Sequence, residues 1–99
     1  MRLNPKQKTI ICGVVQKYDA NAEVYLYGSR VRDDLRGGDI DLMILSHKID
    51  LSLRLSILAD LKIGLGEQKI DLKVLPPGQE KTDAFAQQVL PNAVKLNES

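Results

Sequence analysis

Two aspartates at the start of an apolar strand are the feature that most constrains the fold and function of this chain. Asp39 and Asp41 flank Ile40, and the apolar run Leu42–Leu45 follows directly. Because successive side chains of a strand point to opposite faces, both carboxylates would share one face, with backbone positions roughly 6.6 Å apart. Acids are uncommon in strands, and neighbouring carboxylates repel each other. An exposed strand start with two solvated charges is the alternative, but the apolar run indicates a buried strand. The pair therefore indicates a divalent-cation site.

A glycine-serine step precedes the two aspartates. Gly28 and Ser29 follow a predicted strand over residues 23–27, and glycine allows a sharp turn and the close approach of a ligand. Ser29 is a preferred N-cap and predicts a short helix over residues 30–35. A helix start with free amides and nearby arginines suits phosphate, although the arginines are equally well explained as solvated positions. The candidate nucleotide-binding residues are Gly28, Ser29, Arg30 and Arg32.

The two motifs together resemble the signature of a known superfamily. Gly28-Ser29, nine intervening residues and Asp39-Ile40-Asp41 are similar to the motif of polymerase-β-like nucleotidyltransferases. The length and layout resemble the minimal nucleotidyltransferases (MNT), many of which are antitoxins paired with a small, all-helical HEPN-type toxin. The resemblance implies that Asp71, on a later strand, completes the metal site. For Asp71 alone, the alternative is a solvated acid paired with Lys73.

The resemblance also implies a reaction. Asp39, Asp41 and Asp71 would hold two Mg²⁺ ions, for which Mn²⁺ could substitute, and would act as the catalytic residues. The enzyme would move AMP from ATP, or the nucleotide of another NTP, to a hydroxyl. By resemblance, the acceptor is a tyrosine of a HEPN-type toxin, which makes this chain the antitoxin.

Two other functions are compatible with the sequence. The most familiar family pattern has a small residue, a glycine and a serine where this chain has Val31, Asp33 and Gly38, and its loop is usually one residue longer. These departures support a second hypothesis, in which a weak or inactive module neutralises its partner by binding alone. A small-molecule transferase of the antibiotic-modifying type is disfavoured, because such enzymes usually carry an extra substrate domain.

Two longer helices are predicted from caps and apolar spacing. Asn4 followed by Pro5 predicts a helix over residues 5–18. Asp50 predicts the start of a second helix, over residues 51–65, with leucines on one stripe. The stripe comprises Leu51, Leu55, Leu58, Leu61 and Leu65. Three further apolar residues lie off this stripe and are read equally well as core or as candidate contacts with the partner. They are Leu53, Ile57 and Ile63.

The last third of the chain predicts a strand and a helix. Residues 69–75 alternate, with Asp71 on one face and Ile70 on the other. A final helix is predicted over residues 82–90 and a tail, residues 92–99, that is at best partly ordered. The order of elements predicts an α/β (α+β) fold, a small mixed sheet covered by helices, in a single domain over residues 1–99.

Composition excludes several classes of protein. Fourteen basic and thirteen acidic residues give a net charge of +1, which argues against autonomous binding of nucleic acid. No apolar run approaches a membrane span, and one cysteine favours a reducing compartment, so a cytoplasmic protein is expected. A chain this short has no room for a separate acceptor-binding domain. We therefore expect a homo- or hetero-oligomer in which a second protein supplies the acceptor.

Overall fold

A four-stranded mixed sheet with helices on both faces forms the fold. The computed structural model describes residues 3–28, 39–66 and 68–97. The helices are α1 (Pro5–Tyr18), α2 (Leu51–Leu65) and α3 (Ala84–Val89), and the strands are β1 (Glu23–Tyr27), β2 (Ile40–Leu45), β3 (Ile70–Leu75) and β4 (Val94–Lys95). Single 3-10 turns cover Gln79–Lys81 and Leu90–Asn92. The predicted α/β class is confirmed, whereas the helix predicted over residues 30–35 lies outside the described residues.

The order of strands in the sheet is β3-β2-β1-β4. The central strand β1 runs antiparallel to β2 and β4, whereas β2 and β3 are parallel. The parallel connection from β2 to β3 passes through α2, as parallel strands require a crossover. Within the described ranges, no helix is long and apolar enough to cross a bilayer.

Side-chain caps set the ends of the two long helices. The Asn4 side chain accepts a hydrogen bond from the Gln7 amide at 2.7 Å, and the Gln7 side chain accepts one from the Asn4 amide at 3.1 Å. Asp50 accepts from the Leu53 amide at 2.9 Å, and Gly66, with φ +80°, ends α2. Both helices therefore have the bounds that their caps predict.

The two faces of the sheet are packed differently. α1 and α2 cover one face, where Leu42 of β2 belongs to the main core. The opposite face carries a smaller cluster, in which Tyr27, Met43 and Leu45 pack with Ala86 of α3. Because side chains alternate along β2, Asp41 lies on the same face as Met43, opposite the long helices. The fold thus leaves the acidic end of β2 outside the main core.

The exposed face of α2 differs from the prediction. Leu51 and Leu55 of the predicted core stripe are 69% and 55% exposed, whereas Ile57 is fully buried. Of the two interpretations of Ile57, the core residue is confirmed and the partner contact is wrong, and Leu53 is partly buried against the core. Ile63, the third candidate contact, is 84% exposed.

Contacts with α1 determine which face of α2 is buried. An added Cβ at Gly64 would lie 2.7 Å from Cγ2 of Ile10, so the glycine allows the helices to approach closely. Asp60 accepts hydrogen bonds from Lys17 at 2.9 Å and from Tyr18 at 2.6 Å. Because α2 is apolar on several sides, its periodicity alone does not distinguish this rotation from the predicted one.

The C-terminal segment is more ordered than predicted. Residues 94–95 form β4 against β1, and Leu96 and Asn97 are buried. The Asn97 side chain accepts from the Val24 amide at 2.9 Å and donates to the Ala22 carbonyl at 2.7 Å. A two-residue strand is too short to show alternation in the sequence. The helix predicted over residues 82–90 is shorter, because the Asp83 side chain caps it by accepting from the Ala86 amide at 2.9 Å.

We expect Asn97→Ala to lower the free energy of unfolding by about 3 kcal/mol, because it leaves one buried amide and one buried carbonyl without their partner. Urea denaturation followed by circular dichroism measures this change. The exposed Asn92 supplies the matched control, and Asn92→Ala should change the free energy by less than about 0.5 kcal/mol. Equal effects of the two substitutions would contradict the anchoring role of Asn97.

Candidate nucleotide and metal site

The register of the parallel strands brings two of the predicted acids together. Asp41 of β2 is the direct partner of Asp71 of β3. Neighbouring strands lie about 4.8 Å apart, so the two carboxylates leave the sheet side by side on one face. Asp39 lies two residues before Asp41, just ahead of β2. All three acids therefore lie at one end of the sheet, on the face away from α1 and α2.

This end of the sheet carries excess negative charge. Burial raises the pKa of the Asp41 carboxyl, and the charges of Asp71 and then Asp39 raise it further. Lys69 opposes this effect, and its Nζ lies 3.8 Å from Oδ2 of Asp39. Like charges in a half-buried setting disfavour the ionised form unless a cation compensates them. The cluster therefore costs free energy in the absence of a bound cation.

Tyr27 contacts the acidic cluster from β1. It pairs with Asp41 across the antiparallel strands, and its hydroxyl donates to Oδ2 of Asp71 at 3.5 Å. Burial, followed by the charges of Asp71 and Asp41, raises the pKa of Tyr27 to about 12. Tyr27 therefore stays a neutral hydrogen-bond donor at physiological pH. Tyr27 packs in the smaller cluster of the sheet and also makes this contact.

Gly28 lies against the carboxylate of Asp41. Its φ is +79°, a conformation that favours glycine. An added Cβ would overlap Oδ2 of Asp41, so no larger residue fits without moving that carboxylate. Of the four predicted nucleotide-binding residues, only Gly28 is described. Ser29, Arg30 and Arg32 lie outside the described residues.

The donor atoms at this end of the sheet fit a hard divalent cation. Among residues 3–28, 39–66 and 68–97, no group of three or more His, Cys, Asp or Glu is arranged to hold a metal ion. The in-register carboxylates of Asp41 and Asp71 nevertheless supply oxygen ligands, which Mg²⁺ prefers, and charge that a cation would offset. The site of three acids and two ions stays a prediction.

A cleft of about 350 Å³ opens next to Asp71, at the outer edge of β3 and beside the start of α3. The Phe85 ring of α3 meets the Tyr27 ring edge-on, with centroids 5.6 Å apart, and Nζ of Lys73 lies 5.0 Å from the Phe85 centroid. Sequence reasoning missed both Lys73 and Phe85 as site residues. Strand alternation places Lys73 on the Asp71 face, but no sequence pattern indicates that Phe85 packs there.

Comparison with known proteins identifies the family. The family model for polymerase β nucleotidyltransferases matches residues 9–98. No curated protein matches the chain. One similar solved structure is the tri-AMPylated Shewanella oneidensis HEPN toxin in complex with MNT antitoxin, with 21% identity over 94% of this chain and 71% of that chain and a TM-score of 0.68.

A mutant of the toxin–antitoxin MntA-HpeT is also similar, with 20% identity over 98% of this chain and 75% of that chain and a TM-score of 0.71. At these identities the likeness establishes the fold. The superfamily predicted from the glycine-serine step and the paired aspartates is confirmed by the family model. The chain belongs to the polymerase β nucleotidyltransferase family.

Proposed function

We propose that this protein is a metal-dependent nucleotidyltransferase that moves AMP from ATP to a hydroxyl of a helical HEPN-type toxin and thereby acts as its antitoxin. The observation that carries the proposal is the in-register pair Asp41 and Asp71 beside Gly28. Family membership supports the reaction class. The similar solved structures are toxin–antitoxin complexes, one with an AMPylated toxin, and they support the partner and the donor.

Each part of the chain has a role in this proposal. Gly28 provides room for the triphosphate beside Asp41, and its predicted neighbours Ser29, Arg30 and Arg32 would bind phosphate oxygens. Asp39, Asp41 and Asp71 would hold Mg²⁺. When bound, the metal neutralises phosphate charge and lowers the pKa of the acceptor hydroxyl.

The transfer itself is a substitution at phosphorus. The acceptor oxygen forms a bond to the α-phosphorus, the bond from that phosphorus to the bridging oxygen of the β-phosphate breaks, and pyrophosphate leaves. The hydroxyl proton passes to the Asp71 carboxylate, which is exposed and can return it to water. Tyr27, by donating to Asp71, helps to orient that carboxylate. A tyrosine of the partner is the acceptor that we propose.

A binding module without catalysis is the second candidate. Asp39 lies within ion-pair distance of Lys69, which offsets part of the negative charge without a metal ion. Such a module would neutralise its partner by covering it, and the exposed Leu55 and Ile63 of α2 offer apolar surface for that contact. Both candidates place the protein in the cytoplasm, which its one cysteine, Cys12, favours.

The two candidates differ in a labelling experiment. The protein is incubated with Mg²⁺, a small helical HEPN-type protein, and ATP labelled at either the α- or the γ-phosphate. We expect label on the partner from the α-phosphate alone, no transfer after chelation of Mg²⁺, and a modified tyrosine by peptide mass spectrometry. A tight complex that never acquires α-label would refute the transferase and support the binding module.

A further inference from the structure

We propose that the cleft at the outer edge of β3 is the acceptor subsite, and that it receives the side chain of an exposed tyrosine of the partner protein. The inference rests on the proposed function and adds the place at which the acceptor binds.

The order of the strands indicates from which side the acceptor approaches the phosphates. Gly28 follows the central strand β1, Asp41 is on β2, and Asp71 is on β3 at the edge of the sheet. The cleft begins at Asp71 and extends along β3, away from Gly28. If ATP places its phosphates at Gly28, the acceptor must approach from the opposite side for an in-line substitution. The cleft is on that opposite side.

The size and floor of the cleft suit one aromatic side chain. Its volume of about 350 Å³ is near the lower limit of ligand sites, which favours a single large side chain over a whole nucleotide. Leu75 and the 38% exposed ring of Phe85 provide apolar surface, and the fully buried Met43 lies beneath them. An aromatic ring packs well against such a ring.

The charges around the cleft favour a neutral acceptor. Arg54 and Lys73 contribute two positive charges to the lining, and Asp71 and Asp83 contribute two negative charges. This balance offers no net attraction to a triphosphate. A phenol has an apolar body and one polar end, and Asp71 at the mouth of the cleft can accept its proton.

The edge of the sheet makes the cleft reachable by a protein. Within the described ranges, β3 pairs with β2 alone, so its other side is an open edge. Nε of Arg54 donates to the Leu72 carbonyl at 2.9 Å and so holds one wall of the cleft. Arg54 occupies a carbonyl that an added strand would need, so the partner would reach this edge with the tyrosine side chain of an exposed segment rather than by strand pairing.

The reaction in this subsite transfers AMP from ATP to the phenol oxygen of the bound tyrosine. The phenol oxygen of the bound tyrosine forms a bond to the α-phosphorus of ATP, and the bond from that phosphorus to the bridging oxygen breaks. Pyrophosphate leaves, and the phenolic proton passes to Asp71. The partner is left with a tyrosyl-AMP phosphodiester.

Methyl NMR on the full chain tests the cleft without the partner. With ¹³C-methyl-methionine labelling, the Met43 signal reports on the floor of the cleft. N-acetyl-tyrosinamide is the probe, with N-acetyl-serinamide and ATP as comparison ligands. We expect the tyrosine probe alone to shift the Met43 signal, and Phe85→Ala to weaken this binding about tenfold. Leu55→Ala, on the exposed face of α2, is the matched control and should bind the probe as the unaltered chain does.

Transfer kinetics supply a second readout. Phe85→Ala should raise KM for the partner about tenfold and leave KM for ATP unchanged. A larger response of Met43 to ATP than to the tyrosine probe would assign the cleft to the nucleotide and overturn the inference, as would no response to millimolar probe. Label transfer that persists while the probe fails to bind would refute only the acceptor subsite. Absence of label transfer in the unaltered protein would refute the proposed function.

Discussion

Asp41→Asn should lower the rate of AMP transfer on the order of 10³-fold, because a metal site of this kind contributes several kcal/mol to the transition state. The same substitution should raise the temperature of unfolding measured without added metal. Asn has the shape of Asp but removes a carboxylate that burial, Asp71 and Asp39 disfavour in its ionised form. Activity and stability should therefore change in opposite directions.

Asp60→Asn is the matched control for this experiment. Asp60 accepts hydrogen bonds from Lys17 and Tyr18 between the two long helices, on the other side of the sheet from the cluster. We expect its substitution to leave transfer unchanged and to lower the unfolding temperature. Label transfer and calorimetry measure the two effects. A variant Asp41→Asn that keeps transfer, or that unfolds at a lower temperature than the unaltered protein, would contradict the role given to Asp41.

Gly28→Ala should reduce AMP transfer by about 10²-fold, since displacement of a reacting group by about 1 Å costs this much. The added methyl would overlap the Asp41 carboxylate and force it to move. The positive φ of Gly28 should in addition cost on the order of 1–3 kcal/mol of folding free energy. The substitution therefore combines backbone strain with a displaced ligand.

Gly66→Ala separates these two effects. Gly66 has φ +80°, nearly that of Gly28, but an added Cβ there meets no atom within 4 Å. We expect both variants to lose on the order of 1–3 kcal/mol of stability and only Gly28→Ala to lose transfer. Urea denaturation and label transfer measure the two quantities. Comparable transfer in the two variants would show that the contact between Gly28 and Asp41 has no role in the reaction.

Local signals in the sequence account for most of the helices and strands. Asn4 and Pro5 start α1, and Asp50 and Gly66 bracket α2, because caps act within one turn and leave a readable pattern. Alternation likewise places Asp39 and Asp41 on one face of a strand. Neither pattern contains the register between β2 and β3. The placement of Asp71 next to Asp41 was available only from the family resemblance.

Features that depend on distant contacts could not be predicted. Ile57 is buried and Leu51 exposed because α2 packs against α1, whereas the leucine stripe alone groups Leu51 with the buried Leu61. The acidic face of the sheet gains Phe85 from a helix whose docking depends on tertiary packing. Val94 and Lys95 form a strand only because the neighbouring β1 offers its edge. Each of these outcomes is decided by residues far apart in the chain.

The core residues and the acidic residues lie on opposite faces of the sheet, and this arrangement affects how homologues can lose activity during evolution. Leu42 and its neighbours under the long helices hold the sheet together, whereas Asp41 and Asp71 stand on the other side and add nothing to that core. Mutational drift can therefore erase the acids without removing any contact of the main core, and leave a pseudoenzyme that is still properly folded. For homologues of this chain, retention of the acidic residues is a better guide to turnover than retention of the architecture.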